Sequence, residues 1–172
     1  VKTFKGKLIN TLELVCKTLD VDLILLEPRT NSIKDEVYLG KTSGKIIKQT
    51  NIPALIIPEG FKYKPINSIL MALKSATIKK EGVLDPLKAI KTQYKSALNL
   101  LLVKTPFYNE GDFDVAEELK LLVDSTSTSE NATTFQGVLE NYKDNNPDML
   151  CVVRRKRGFF TKLWEKNSIL KK

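Results

Sequence analysis

The sequence predicts an α/β fold built on parallel β-sheets. Short apolar runs alternate with stretches whose apolar residues recur every three or four positions, which is typical of β-α-β units with right-handed crossovers. One strand pattern occurs twice, at residues 22–26 and 148–152, each time after a helix-like stretch and before a long loop. A segment rich in Gly, Pro and Lys separates the two halves. We therefore expect two tandem units with doubly wound parallel sheets.

The first half reads β-α-β-α-β. Residues 1–4 suggest a short edge strand, and apolar residues from Leu8 to Leu19 predict an amphipathic helix. Residues 22–26 and 54–57 are apolar runs expected to form buried strands. Between them, Gly40, Lys41, Thr42 and Ser43 form a helix entry with hydroxyl caps, and Pro53 ends that helix.

The second half starts again after a linker at residues 61–67. Strands are predicted at residues 68–73, 98–103 and 148–153, with a helix from Val83 to Tyr94 that has Pro86 in its first turn. A helix is predicted at residues 115–123. Four acids lie before it or in its first turn and suit its amino-terminal dipole better than catalysis or metal binding: Asp112, Asp114, Glu117 and Glu118. The remaining expectations are a polar loop at 125–131, a weak strand at 133–135 and a short helix at 138–142.

Composition excludes several classes of protein. The 172 residues contain no histidine, which argues against histidine-dependent hydrolases and zinc enzymes. No apolar run is long enough to span a membrane and the first residues do not form a signal peptide, so the expected location is the cytoplasm. Cys16 and Cys151 lie in apolar patterns and are expected to be reduced core thiols.

The net charge of +8 is concentrated at one end of the sequence. Residues 154–172 contain eight basic residues and one acid, so the rest of the chain lacks the face-wide positive footprint of a DNA-binding protein. Arg154, Arg155, Lys156 and Arg157 precede Phe159, Phe160 and Trp164. This basic patch could bind a polyanion, an anionic membrane or a protein. It could also be a solvated loop whose aromatic residues pack in the core or at a dimer contact.

The loops after the repeated strand resemble the signature of the universal stress protein family. That signature is Gly, two residues, Gly, nine residues, Gly, then Ser or Thr. The first loop has Glu27, Thr30, Gly40 and Lys41 at the four positions, and the second has Val153, Lys156, Lys166 and Asn167. Both loops keep the spacing, and only Gly40 keeps the residue type. The chain resembles divergent tandem-domain members of the family.

The resemblance implies an adenine-nucleotide α-hydrolase-like fold and a degenerate nucleotide site. In the family, the glycines let the backbone approach ATP phosphates. Glu27 places a carboxylate there, and Val153 and Lys156 add bulk. The family's first strand also ends in an aspartate that contacts adenine, where this sequence has Lys74. We expect the second unit not to bind ATP in the family manner.

A P-loop is excluded at Gly40 because Asp35 stands where that motif requires its first glycine. The amides and hydroxyls of Lys41, Thr42 and Ser43 could nevertheless hold a phosphate or sulfate at the helix start. The leading hypothesis is a non-enzymatic stress-response or regulatory protein without a cofactor. One alternative is an ATP- or AMP-binding protein with slow ATPase activity that uses Gly40 to Ser43. The other is a polyanion-binding module that uses the basic patch.

The resemblance also implies domain limits. Residues 1–60 correspond to the third to fifth strands of one domain, and residues 68–172 to a second domain without its last strand. The chain would then be a portion of a longer protein. Because such units leave sheet edges uncovered, we expect pairing with another copy or between the two domains of one chain, at an interface of residues 54–57 and 159–164. A homodimer is the favoured solution, and an unknown protein partner is the alternative.

Overall fold

The structure, a computed structural model, describes residues 3–28, 40–78 and 80–153. The chain divides into two compact units, Val1–Tyr63 and Lys64–Lys172. The division falls inside the segment predicted as a linker, residues 61–67. The sheet of each unit is parallel.

The first unit contains two helices and a two-stranded sheet. Ile24 donates its N–H to the carbonyl of Pro53 (3.0 Å), and Ile57 donates to Leu26 (2.8 Å). Cys16 and Ile46 are the buried apolar residues of the two helices. Both predicted helices and both predicted strands are confirmed as α1 (Leu8–Thr18), β1 (Ile24–Leu26), α2 (Gly40–Gln49) and β2 (Ala54–Ile56).

The second unit is a four-stranded parallel sheet in the order β5-β4-β3-β6. The chain runs outward from β3 through β4 to β5 and then crosses back to place β6 on the other side of β3. This confirms the doubly wound α/β class. The elements are β3 (Ser68–Leu73), α3 (Asp85–Tyr94), β4 (Ala97–Lys104), a 3₁₀ turn (Glu110–Phe113), α4 (Glu117–Lys120), β5 (Ser125–Glu130), α5 (Thr134–Asn145) and β6 (Met149–Cys151).

The central strands β3 and β4 are buried on both faces. Alternate residues point to opposite sides of the sheet, so each strand needs apolar side chains at consecutive positions. One face packs against α3 and α4 through a cluster that includes Ile69, Met71, Leu98, Leu100, Leu84, Leu87 and Leu119. The opposite face packs against α5 through Leu70, Ala72, Leu101, Val103 and Val138.

Two predictions between β4 and β6 were wrong. Residues 125–131, expected to be a polar loop, contain strand β5, which pairs with β4 along its whole length. An edge strand contributes few side chains to the core, so Ser and Thr can occupy its positions. Residues 133–135, expected to be a strand, begin α5. Thr133 is its N-cap and accepts the Gln136 N–H at 3.2 Å, a role for which threonine is preferred.

Three further elements differ in extent. The helix predicted at residues 115–123 is the single turn of α4 at Glu117–Lys120, and the helix predicted at 138–142 is part of the longer α5. Thr3 and Phe4 do not form the predicted edge strand. Cys16 and Cys151 are free thiols, as expected, and burial raises the pKa of Cys151 to about 12.

Two aspartates anchor the amino ends of the central strands. Asp148 Oδ2 accepts the N–H groups of Asn67 (2.9 Å) and Ser68 (3.1 Å), while its Oδ1 pairs with Lys64 (2.7 Å). Asp124 Oδ2 accepts the Leu98 N–H at 2.7 Å and pairs with a lysine of α3. Each residue directly precedes a strand, so its carboxylate fixes where the neighbouring strand starts.

We predict that Asp148→Asn destabilises the second unit at neutral pH and has little effect in strong acid. The Lys64 ammonium and then the Ser68 and Asn67 amides hold the pKa of Asp148 at about 2, against an ordinary value of 3.8. A depressed pKa stabilises the fold above the unfolded value, and this stabilisation is lost as pH falls through the folded value. The difference in urea midpoint between wild type and variant should therefore shrink between pH 4 and pH 2.

Asp144→Asn is the matched control, because Asp144 is an exposed aspartate of α5 that forms no ion pair in the described part of the chain. Its urea midpoint should follow that of the wild type at every pH. An Asp148→Asn difference that stays constant from pH 6 to pH 2 would contradict the linkage.

We also predict that Gly137→Ala destabilises the protein. A Cβ at Gly137 would lie 2.7 Å from Asn131 Oδ1, 2.8 Å from Val103 Cγ1 and 2.9 Å from Ser129 Oγ. Overpacking costs roughly 1–3 kcal/mol, which outweighs the gain of about 1 kcal/mol in helix propensity. Gly44→Ala in α2 is the control and should stabilise, because nothing lies within 4 Å of its Cβ position. Denaturant unfolding monitored by circular dichroism measures both; a more stable Gly137→Ala protein would contradict the prediction.

Candidate functional site

The candidate site of the second unit lies at the carboxyl edge of its sheet. Ligands of open α/β sheets bind outside the carboxyl ends of the strands, where the strand order reverses. The order β5-β4-β3-β6 reverses between β3 and β6. The described segments at this edge are residues 74–77 after β3, residues 105–114 after β4, and Val152 and Val153 after β6.

The segment after β4 is bonded to the segment after β3. The Ala76 N–H donates to the carbonyl of Asp112 at 2.6 Å, and the Lys74 ammonium donates to the carbonyl of Phe107 at 3.1 Å. The Thr77 hydroxyl contacts the carbonyl of Gly111 at 3.5 Å. We call residues 105–114 the closing loop, because it covers the segment that follows the first strand of the unit.

The closing loop is also fixed by contacts within itself. Asn109 and Asp112 form a capping box around the 3₁₀ turn, in which the Asn109 N–H donates to Asp112 Oδ2 at 2.9 Å. The rings of Tyr108 and Phe113 meet edge to face at 5.7 Å. The Asn109 amide, followed by the Ser75 hydroxyl and the Lys74 charge, lowers the pKa of Asp112. The closing loop therefore carries an ionised carboxylate near the Lys74 charge.

Lys74 directly follows β3, at the position where the family resemblance expects an adenine-contacting aspartate. A carboxylate accepts hydrogen bonds, whereas an ammonium only donates them. The exocyclic amine of adenine is itself a donor, so Lys74 cannot replace an aspartate in that contact. In the structure its ammonium instead binds the closing loop.

Val153 occupies the first glycine position of the second signature. It is half-buried and packs against the cluster beneath α3 and α4. The other predicted residues of this loop lie outside the described residues: Lys156, Lys166, Asn167 and the basic patch of Arg154, Arg155, Lys156 and Arg157.

The first unit brings four predicted anion-binding residues into one helical turn. Gly40 begins α2, and Lys41, Thr42 and Ser43 follow it in the first turn. Thr42 is exposed and Ser43 is buried. Glu27 is exposed directly after β1, and Thr30 lies outside the described residues.

A shallow pocket of about 270 Å³ lies at the carboxyl ends of β4 and β5. The Lys104 ammonium pairs with Glu130 at 3.0 Å and stands 4.6 Å from the centre of the Tyr108 ring. Glu130 and then Tyr108 raise the pKa of Lys104. Sequence reasoning missed this pocket because it assigned residues 125–131 to a loop. Its lining is Lys104, Tyr108, Phe113, Thr128 and Glu130.

Comparison with known proteins identifies the fold. No protein-family model matches the sequence, and no curated protein matches it. The chain is similar to the solved structure of a universal stress protein from Archaeoglobus fulgidus DSM 4304, with a TM-score of 0.62 and 16% identity. The chain has the universal stress protein fold. The match covers 96% of this chain and 61% of that chain, so this chain spans about three fifths of the solved protein.

This fold confirms the resemblance to universal stress proteins that the two loops suggested. At this identity the similarity concerns the fold, and the function has to be argued from the site. Within residues 3–28, 40–78 and 80–153, no helix has the length and apolar character needed to cross a bilayer. The same residues contain no cluster of three or more acidic or cysteine side chains suited to a metal ion.

We predict that Lys74→Met loosens the closing loop. The substitution keeps most of the aliphatic length and removes the ammonium that donates to the Phe107 carbonyl. Hydrogen exchange at Ala76, Tyr108 and Asp112 should become faster, because the closing contacts open more often. Lys80→Met is the control, since Lys80 is also an exposed lysine after β3, and it should leave these amides unchanged. Equal exchange in the wild type and Lys74→Met would contradict the role assigned to Lys74.

Proposed function

We propose that this chain acts as a non-enzymatic regulatory protein of the universal stress type, through dimerisation or a protein partner. The fold is that of a universal stress protein. The single observation that carries the proposal is the closing loop, which is bonded to the segment after β3 at the carboxyl edge where open α/β sheets hold ligands. A protein that covers part of this edge with its own residues would use the fold for a role other than ligand binding there.

The chemistry of the edge supports the absence of nucleotide from the second unit. Lys74 offers a donor where adenine recognition needs an acceptor, and it is bonded to the Phe107 carbonyl. Val153 brings a branched side chain to a position where the family uses glycine for close backbone approach. Its side chain contributes to the core, so removal of that side chain would also cost packing.

The alternative is a nucleotide-binding protein that uses the first unit. The observation in its favour is the first turn of α2, where Gly40, Lys41, Thr42 and Ser43 follow one another at the start of a ten-residue helix. Helix amino termini favour anions because their N–H groups are unpaired and the helix dipole is positive there. The exposed carboxylate of Glu27, at the first signature position, opposes this reading.

We predict that the purified chain shows no saturable binding of ATP or AMP at the second unit. Calorimetric titration with magnesium present should give only heats of dilution up to about 1 mM nucleotide. This limit excludes a dissociation constant well below about 1 mM, which corresponds to a binding free energy of about −4 kcal/mol. Saturable binding in the micromolar range would contradict the prediction if the ligand occupied the second unit.

Photo-crosslinking with an azido-ATP followed by peptide mapping distinguishes the two units. Labelling at residues 74–77 or 105–114 would overturn the proposal for the second unit. Labelling at residues 40–43 that disappears in Lys41→Glu would favour the alternative. Because Lys41→Glu changes only the first unit, Lys74→Met serves as the matched variant in the second unit and should not alter the result.

A further inference from the structure

The pocket at the carboxyl ends of β4 and β5 lies to one side of the segment that follows β3. In the order β5-β4-β3-β6, β5 is two strands away from β3, whereas the strand order reverses between β3 and β6. Thr128 pairs with Leu102, and Glu130 pairs with Lys104. Leu102 belongs to the cluster beneath α3 and α4. Because alternate side chains of a strand share one side, the pocket opens on that face of the sheet.

Two rings of the closing loop form one wall of this pocket. Phe113 packs against the cluster beneath α3 and α4, and Tyr108 meets it edge to face at 5.7 Å. The loop is held by the capping box of Asn109 and Asp112 and by the bond from the Ala76 amide. The wall is therefore in place before a ligand arrives, which lowers the entropic cost of binding.

The pocket already holds one carboxylate, that of Glu130. Its Oε1 lies 3.0 Å from the Lys104 ammonium, which stands 4.6 Å from the centre of the Tyr108 ring. The Lys104 side chain is 37% exposed, whereas that of Glu130 is 78% exposed. An exposed ion pair contributes little to stability, because water screens it. The Glu130 carboxylate can therefore leave the ammonium at small cost, while the Tyr108 ring continues to attract Lys104.

We propose that this pocket binds a small carboxylic acid with an apolar ring, whose carboxylate replaces that of Glu130 on Lys104. The Thr128 hydroxyl, which also lines the pocket, is a second hydrogen-bond donor. The ring of the ligand packs on Phe113. The pocket measures about 270 Å³, below the range of about 300–1,000 Å³ typical of sites for drug-sized ligands, so the ligand is small. This site is independent of the dimer or partner contacts proposed above.

The charges of the pocket favour an anion over a cation. A cationic ligand would have to displace Lys104 from both Glu130 and the Tyr108 ring, and it would then lie beside the displaced ammonium. An anion has only to displace the exposed carboxylate of Glu130. Phosphate sites use several cations or a helix amino terminus, and α5 packs on the opposite face of the sheet. One ammonium and one hydroxyl therefore suit a carboxylate.

An NMR titration of the intact chain tests the site with benzoate as the probe. At constant ionic strength, benzoate should shift the amide signals of Lys104, Tyr108 and Thr128 and reach saturation. Benzyl alcohol and benzylamine carry the same ring without the negative charge and should leave these signals unchanged. The proposal fails if benzoate gives no saturable shift up to about 10 mM, a range that detects millimolar dissociation constants. It also fails if benzylamine, benzyl alcohol or inorganic phosphate shifts the same signals as strongly.

Two substitutions in the pocket should change the affinity for benzoate in opposite directions. Lys104→Met removes the ammonium and should weaken binding about ten-fold or more, as expected for the loss of a hydrogen bond to a charged group. Glu130→Gln keeps the size of the side chain and removes the competing charge. It should therefore strengthen binding about two- to five-fold, which corresponds to the strength of an exposed ion pair. A Glu130→Gln protein that binds benzoate no better than the wild type would contradict the proposal.

The exposed pair of Lys120 and Glu117 in α4 provides the matched control. Lys120→Met and Glu117→Gln make the same chemical changes outside the pocket and should leave the affinity for benzoate unchanged. Equal effects of the two pairs of variants would reflect net charge alone and would refute the site. Because Glu130→Gln is expected to increase binding, its result cannot be explained by a loss of folding.

Discussion

The burial of β3 and β4 on both faces is the constraint on which the second unit depends. Their side chains fill two apolar clusters, one beneath α3 and α4 and one beneath α5. Buried backbone groups must be hydrogen-bonded, so both strands require neighbours on each side, and the sheet extends to β5 and β6. Polar groups are consequently confined to the two ends of the strands and to the outer edges. The candidate site of this unit lies at one of those ends.

The two ends of the sheet use similar chemistry for different purposes. At the amino end, Asp124 and Asp148 accept backbone N–H groups and pair with lysines, which fixes where the strands begin. At the carboxyl end, the Lys74 ammonium and the Ala76 amide bind carbonyls of the closing loop. The polar groups at the amino end therefore hold the strands in place, whereas the carboxyl end is where open α/β sheets bind ligands. Polar groups of the closing loop therefore form hydrogen bonds within the protein.

The sequence predicts those parts of the fold whose side-chain pattern differs from that of a loop. Ser68–Leu73 was predicted with its observed limits, because five consecutive apolar residues are needed only where a strand is buried on both sides. β5 was missed because its Ser and Thr residues have no apolar period, and its strand conformation comes from pairing with β4. The resemblance located Lys74, but its bond to Phe107 joins residues 33 positions apart, and no local pattern predicts that contact.

The repeated strand shows how far neighbours, and not local sequence, determine environment. Leu25 in β1 and Cys151 in β6 occupy equivalent positions of the repeat. Leu25 is 64% exposed, whereas Cys151 packs against the core and burial raises its thiol pKa to about 12. β1 has one described partner in a two-stranded sheet, and β6 lies beside a strand buried on both faces. The same reasoning applies to the signature positions: Val153 follows β6 and joins the core, while Glu27 follows β1 and remains exposed. A family motif carried over by spacing alone therefore fixes where a loop begins, and the packing around that loop determines whether a ligand can bind there.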